Sequence, residues 1–270
     1  MVFALFAMQM AVWAQEASGY CGDPNVNEGK DVTWSVVDGT LTISGVGAMA
    51  DYDWAGPWSA FNKVVVTEGV TSIGRCAFNF CSGFTDITLP NSLVSIGQSA
   101  FSFCSGLSSV LVPNSVTTIG DGAFSFCGGL THVKLPDGIT AIGDDMFCYS
   151  SNLTTITIPA TVTHIGQSAF LQSALAEVIC VNPIPPTLDA DAFFGIPDDA
   201  TLRVPDVEAY KASDWAQYFS KIEQIDPTAI LGVKADKDAP ATIYDLSGRR
   251  VTEPIKGRIY IVNGKAVVWR

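Results

Sequence analysis

The side chains with the most reactive chemistry are seven cysteines, two histidines and a few paired carboxylates. Thiols at a C-x-x-C spacing hold zinc or exchange disulfides, but no two cysteines here stand that close. Their odd number leaves at least one thiol without an intramolecular partner. Cys81, Cys104 and Cys127 instead recur at a step of 23 residues, in a slot that Ser150, Ser173 and Ile196 fill further on. Exchange among small residues at one inward site favours buried thiols over bridges. Cys76 and Cys148 lie beside that row, and Cys21 and Cys180 have no partner assignable by spacing.

His132 and His164 also fall at repeated positions, where chemically unrelated residues such as Ser109 and Thr155 stand in for His132. A general base needs fixed partners, so both read as solvated surface residues. Asp144-Asp145 and Asp198-Asp199 are neighbours in loops, where adjacent side chains point apart. Asp51, Asp53 and Gly56 match the start of a calcium loop, but its fifth position is Ala55 and its twelfth is Asn62, where an acidic ligand is needed. GxSxG, P-loop, GxGxxG and HExxH patterns are absent. The expectation is a protein with no catalytic residues, no cofactor and no metal.

The elements that carry these residues repeat. Phe78, Phe101, Phe124, Phe147, Phe170 and Phe193 are spaced by 23, as are Ile73, Ile96, Ile119, Ile142, Ile165 and Leu188. Six copies in register mark a solenoid. Each copy opens with a short alternating run, such as Val110 and Val112, whose inward pairs are expected through Ile156/Ile158 to Ile179/Val181. Pro90, Pro113, Pro136 and Pro159 end these strands, lacking an amide hydrogen for a neighbour. A glycine after the isoleucine is expected to take a positive φ at the corner. Ala123, Phe124 and Cys127 are spaced to fit one helical turn closing the coil. The outward columns are then Lys63, Asp86, Ser109, His132, Thr155 and Val178, and Val65, Thr88, Leu111, Lys134, Thr157 and Cys180.

Around this array, residues 1–14 read as a secretory signal peptide: Val2–Trp13 is almost wholly apolar, too short to span a bilayer, and ends in Val12-Trp13-Ala14, whose small residues fit a cut after Ala14, although a basic start is missing. Residues 15–60 read as an N-terminal β cap, with Val32–Val37 and Thr40–Ser44 joined at Asp38-Gly39 and completed by Trp54, Pro57 and Trp58. The solenoid occupies 61–226, including a strand at Thr201–Val204 and a capping helix over Val207–Ile222. A linker at 227–240 leads to strands at Ala241–Leu246, Arg249–Thr252, Arg258–Val262 and Lys265–Trp269.

Of 270 residues 48% are hydrophobic and 16% charged, a composition that folds. The formal charge of −12 is uneven: Thr67–Cys180 carries −5 and Pro227–Arg270 carries +4. An acidic body excludes the Lys/Arg stripe of a phosphate-backbone binder.

The pattern LxxLxLPxxLxxIGxxAFxxC, clearest in Leu107–Gly129, resembles the 23-residue leucine-rich repeat of BspA-like bacterial surface proteins. The resemblance runs over roughly residues 19–226 and departs at the end, with Ala176 for the leading Leu, Asn182 for the Pro and Asp189 for the Gly. The segment IYDLSGRRV…KGRIYIVNGKAVV is similar to C-terminal β segments of exported Bacteroidetes proteins, some of them secretion-sorting tails. The fold so implied is a β-rich leucine-rich repeat solenoid of parallel strands and short helical turns, about six coils, capped at both ends and followed by a small antiparallel β segment. The function so implied is an exported, monomeric adhesion module at the cell surface or outside the cell, binding a host or microbial protein or glycan, with no membrane span. The exposed strand positions Asp86, Thr88, Leu111, His132, Lys134, Thr155 and Thr157 are the candidate contacts. The alternative is a structural spacer or scaffold on the cell surface that binds nothing, and a third reading is an enzyme of unrecognised type.

Overall fold

The structure is a computed structural model describing residues 17–58, 61–225, 243–244, 259–262 and 265–268; the expected signal peptide, the linker and the expected strand Arg249–Thr252 lie outside these residues. The chain winds as a β-solenoid of about eight turns. Each coil has three sides. The front is a strip of parallel strands: β3 (Thr40–Gly45), β5 (Lys63–Val66), β7 (Asp86–Thr88), β9 (Ser109–Leu111), β11 (His132–Lys134), β13 (Thr155–Ile158), β15 (Glu177–Cys180), β17 (Thr201–Val204) and β18 (Lys221–Gln224). A second strip holds β4 (Gly47–Ala48), β6 (Val70–Ile73), β8 (Ser95–Ile96), β10 (Thr118–Ile119), β12 (Ala141–Ile142), β14 (His164–Ile165) and β16 (Thr187–Leu188). The third side is a stack of turns containing the AF motif.

Alternation builds the front strip. Val64, Val66, Val110, Val112, Ile156 and Ile158 are buried, while Lys63, Leu111 and Thr157 face solvent. After β7, β9 and β13 the carbonyls of Pro90, Pro113 and Pro159 accept a tight-turn amide, as in Val116 N–H to Pro113 O at 3.0 Å. Between the strips lies one continuous core. Its central column stacks Phe78, Phe101, Phe124, Phe147, Phe170 and Phe193 at 4.9–5.7 Å with planes within 11° of parallel. Trp58 starts the column and Trp215 and Phe219 close it.

The turn side is not helical, contrary to expectation. Each turn contains two left-handed residues four apart: Cys76 and Phe80, Ser99 and Phe103, Gly122 and Phe126, Asp145 and Tyr149, Ser168 and Gln172, Asp191 and Gly195. Alternating the backbone hand in this way points every second amide along the solenoid axis. Three amides then bridge each pair of coils, for example Gly122, Phe124 and Phe126 N–H to the carbonyls of Asp144, Met146 and Cys148, always from the earlier coil to the later. An α-helical turn would direct those donors back into its own coil.

The corner glycines are also corrected. Gly74, Gly97, Gly120, Gly143 and Gly166 do not have positive φ. They are needed because the preceding coil is too close: a Cβ on Gly120 would stand 2.4 Å from Gln98 N, and one on Gly74 would stand 1.8 Å from Ala50 O.

At the N-terminal end, β1 (Ala17–Tyr20) and β2 (Val32–Val37) run antiparallel onto β3, with Asp38 and Gly39 both left-handed in the hairpin turn. The segment from Thr40 is itself a coil, since Thr40 pairs with Lys63 and Gly47 with Val70 at the same 23-residue step.

At the other end the register slips. Ile156 pairs with Val178 and Ile158 with Cys180, a step of 22, so Val178 and Cys180 are buried and Ile179 turns partly outward. The expected outward positions of Val178 and Cys180, and the expected inward position of Ile179, are therefore reversed. A shift of one residue exchanges the faces of a strand. Leu175, fully buried, is the leading residue of this coil rather than Ala176. The expected capping helix is three pieces: α1 (Val207–Lys211), a 3-10 turn at Asp214–Gln217, and β18, which adds to β17 in parallel. Ser213 caps the 3-10 turn through Trp215 N and interrupts the helix, and β18 satisfies the edge that β17 would otherwise leave open.

In the C-terminal segment β19 (Ile243–Tyr244), β20 (Ile259–Val262) and β21 (Lys265–Val268) pair antiparallel.

Candidate interaction surface

The seven candidate contacts share the front of the solenoid. Asp86 and Thr88 on β7, Leu111 on β9, His132 and Lys134 on β11, and Thr155 and Thr157 on β13 are all exposed. The register sets Lys63 beside Asp86, Ser109 beside His132, and Leu111 beside Lys134. Backbone ladders and the core beneath fix the strands that carry these side chains. Further along the same strip Arg203 bonds Glu177 and, at 2.8 Å, Glu223, joining β15, β17 and β18.

The cysteines are all free, and six of the seven are buried. Their row has a bonding role that spacing did not reveal. Cys104 Sγ lies 3.0 Å from Phe78 O and Cys127 Sγ 3.0 Å from Phe101 O, and Ser150 Oγ meets Phe124 O at 3.2 Å in the same slot. Thiol and hydroxyl exchange there because either donates to the column phenylalanine one coil back. Burial pushes the Cys127 thiol up to about 12 and holds Cys104 well above its ordinary range. Such thiols are poor nucleophiles. Cys180, carried inward by the slip, lies with its Sγ 3.1 Å from Tyr210 Oη.

His132 is exposed, as expected. His164 has partners: Nδ1 is 3.0 Å from Thr187 Oγ1 and Nε2 3.2 Å from Asp189 Oδ2. The trio has the membership of a nucleophile, base and carboxylate, but Thr187 Oγ1 lies 3.3 Å from Thr163 O. A hydroxyl donating to that carbonyl presents a lone pair, not a proton, to the imidazole, the reverse of nucleophile activation. Asp144 Oδ1 accepts from Gln167 N and Asp121 Oδ1 from Asp144 N, so these carboxylates cap the next coil. Asp51 does the same for Arg75 N, and Asp53 pairs with the Arg75 guanidinium at 3.0 Å. Among the described residues no cluster of three or more His, Cys, Asp or Glu could hold a metal ion, and no helix is long and apolar enough to cross a membrane.

One surface feature escaped the sequence reasoning. Outside the buried column runs a second aromatic row, Trp54, Phe80, Phe103, Phe126 and Tyr149, stacked at 4.9, 4.4, 4.4 and 5.0 Å with planes 3–12° apart. Its members are 68, 45, 38, 38 and 46% exposed. The signal was present, since Phe80, Phe103, Phe126 and Tyr149 share the 23-residue step. Reading the turn as helical hid which way they point.

Residues 56–176 match the family model of the BspA type leucine rich repeat region, in six copies. Those residues are a BspA-type leucine-rich repeat region. Solved structures similar to the chain include a leucine-rich repeat protein from Bacteroides ovatus (17% identity, 73% of this chain and 76% of that one, TM-score 0.39). A leucine rich cell surface protein from Faecalibacterium prausnitzii has 21% identity over 72% and 71% of the two chains, TM-score 0.42. The T. pallidum leucine rich repeat protein has 21% identity over 63% and 90%, TM-score 0.36. No curated protein showed a match. In this BspA-type array the repeat's leucine-class residues form the core, and what varies from coil to coil is the outward lattice.

Proposed function

We propose that this protein is an exported adhesion module that binds a host or microbial protein or glycan through the front lattice of its solenoid, and that it performs no catalysis. The observation that carries this reading is the array of exposed side chains from Asp86 to Thr157, held on four successive strands above one core. The apolar run Val2–Trp13 supports export, and the BspA-type repeats support interaction as the use of the surface.

The test is a panel of matrix proteins, mucins and glycans probed with the purified chain and with T88E/L111E/T157E. The expected result is saturable retention of the natural protein on at least one member, lost in the variant while the circular dichroism spectrum is unchanged. Retention of the variant at equal strength overturns the assignment to this lattice. Retention of neither, with both folded, leaves the array as a spacer.

A further inference from the structure

We propose that the outer aromatic row is a second binding site, a track for an elongated, flat, apolar cation. It lies on the turn side of the coils and is independent of the front lattice.

The geometry restricts what can bind. In Phe80, Phe103 and Phe126 both ring faces are covered by the neighbouring rings, because the planes are nearly parallel and the centroids 4.4–5.0 Å apart. Only ring edges reach solvent. Sugars and compact ammonium groups use ring faces, and along this row only the two end rings, Trp54 and Tyr149, have a face that no ring covers. The edges form an apolar lane one ring wide and roughly 19 Å long. With aromatic side chains of about 150–250 Å² each, the exposed fractions amount to about 500 Å². A stable protein pair buries about 800 Å² on each side, so a second copy of the chain gains too little here. A long, narrow molecule matches the lane.

Two residues beyond the rings are Ser82, Ser105, Gly128 and Ser151, exposed or half-exposed residues too small to overhang the lane. On the other border of the turns are the exposed carboxylates of Asp121, Asp144 and Asp145. None forms an ion pair among the described residues, and the one basic side chain on these turns, Arg75, is held by Asp53. Burial, then the neighbouring carboxylates of Asp144 and Asp121, push the Asp145 carboxyl up, a crowding that a bound cation relieves. An anion meets only repulsion, so the sign of the ligand follows from the border.

The experiment titrates the full-length chain with thioflavin T, a planar, elongated monocation that fluoresces when immobilised. The expected result is a saturable gain in emission. F103N/F126N keeps side chains that tolerate a left-handed backbone and is expected to weaken the dye by at least about tenfold. D121N/D144N/D145N retains the oxygens that cap the next coil and is expected to weaken it about threefold to tenfold and to flatten its salt dependence. T88E/L111E/T157E is expected to bind the dye as the natural protein does, which separates this site from the front lattice. Melting curves confirm that each variant is folded. No saturable gain in the natural protein, or an undiminished gain in folded F103N/F126N, overturns the proposal.

Discussion

Phe103 and Phe126 stack with centroids 4.4 Å apart and planes 3° from parallel, each from a left-handed backbone with φ of 59° and 56°. A left-handed conformation costs a non-glycine residue about 1–2 kcal/mol, and an aromatic pair returns about 0.5–1.5 kcal/mol. The two nearly cancel, so the outer row holds its place without adding much stability.

The inner column behaves differently, and the contrast is measurable. Phe124→Ala removes a fully buried ring and is expected to cost about 3–5 kcal/mol in urea denaturation. Phe126→Asn, two residues away, is expected to cost less than about 1 kcal/mol, because asparagine accepts the backbone that phenylalanine strains. Similar losses at both positions would mean that the outer ring is part of the core.

Gly120→Ala tests the close approach of successive coils. The new Cβ would stand 2.4 Å from Gln98 N, and the expected cost is about 1–3 kcal/mol despite an ordinary φ. Gly138→Ala, with nothing within 4 Å of its Cβ, is expected to be neutral or to stabilise by up to about 1 kcal/mol. Thermal melts of the two variants, compared with the parent, decide the matter.

The buried thiols make stability fall in alkali. An unfolded thiol ionises near pH 9, whereas Cys127 is pushed up to about 12 and Cys104 well above its ordinary range. A raised folded value contributes in full below the unfolded one and is lost as pH rises from there towards the folded value. Between pH 9 and pH 12 Cys127 is expected to remove roughly 1.4 kcal/mol per pH unit, and Cys104 acts in the same direction. Urea midpoints taken under reductant should fall over this range, and more gently in C104S/C127S, whose hydroxyls can donate to the same carbonyls. Equal slopes for the two proteins would contradict the assignment.

Tyr210→Phe should reveal what its hydroxyl does. Tyr210 Oη donates to the Asn182 carbonyl at 2.8 Å in a fully buried setting. Its removal leaves that carbonyl unpaired, at an expected cost of about 1–3 kcal/mol. Protection of the amides in β15 and β17 against hydrogen exchange should drop along with the melting temperature.

Much of the fold was legible because residues 23 apart do the same work in every coil. The strands, the proline stops and the phenylalanine column all follow from that step. The slip at β15 was not legible, because the one-residue shortening between Leu153 and Leu175 is recovered before Thr187, and the Phe and Ile landmarks on either side stay in phase. The turns were misread for a different reason: Ala123, Phe124 and Cys127 have helix-compatible spacing, and nothing in residue type announces that Phe126 is left-handed. That single error concealed the outer aromatic row, whereas the front lattice, which depends only on strand alternation, was placed correctly from Asp86 to Thr157.

The bonds between turns all run from the earlier coil to the later. In an ordinary parallel ladder, amide and carbonyl alternate in direction and their dipoles largely cancel; here they add, coil upon coil, as peptide units do along a helix. The turn side is therefore electrically polarised from end to end, with its positive pole on the turn that contains Asp191, Phe193 and Gly195. Lengthening the protein by another 23 residues would extend this polarisation, and two such arrays placed head to head would oppose each other.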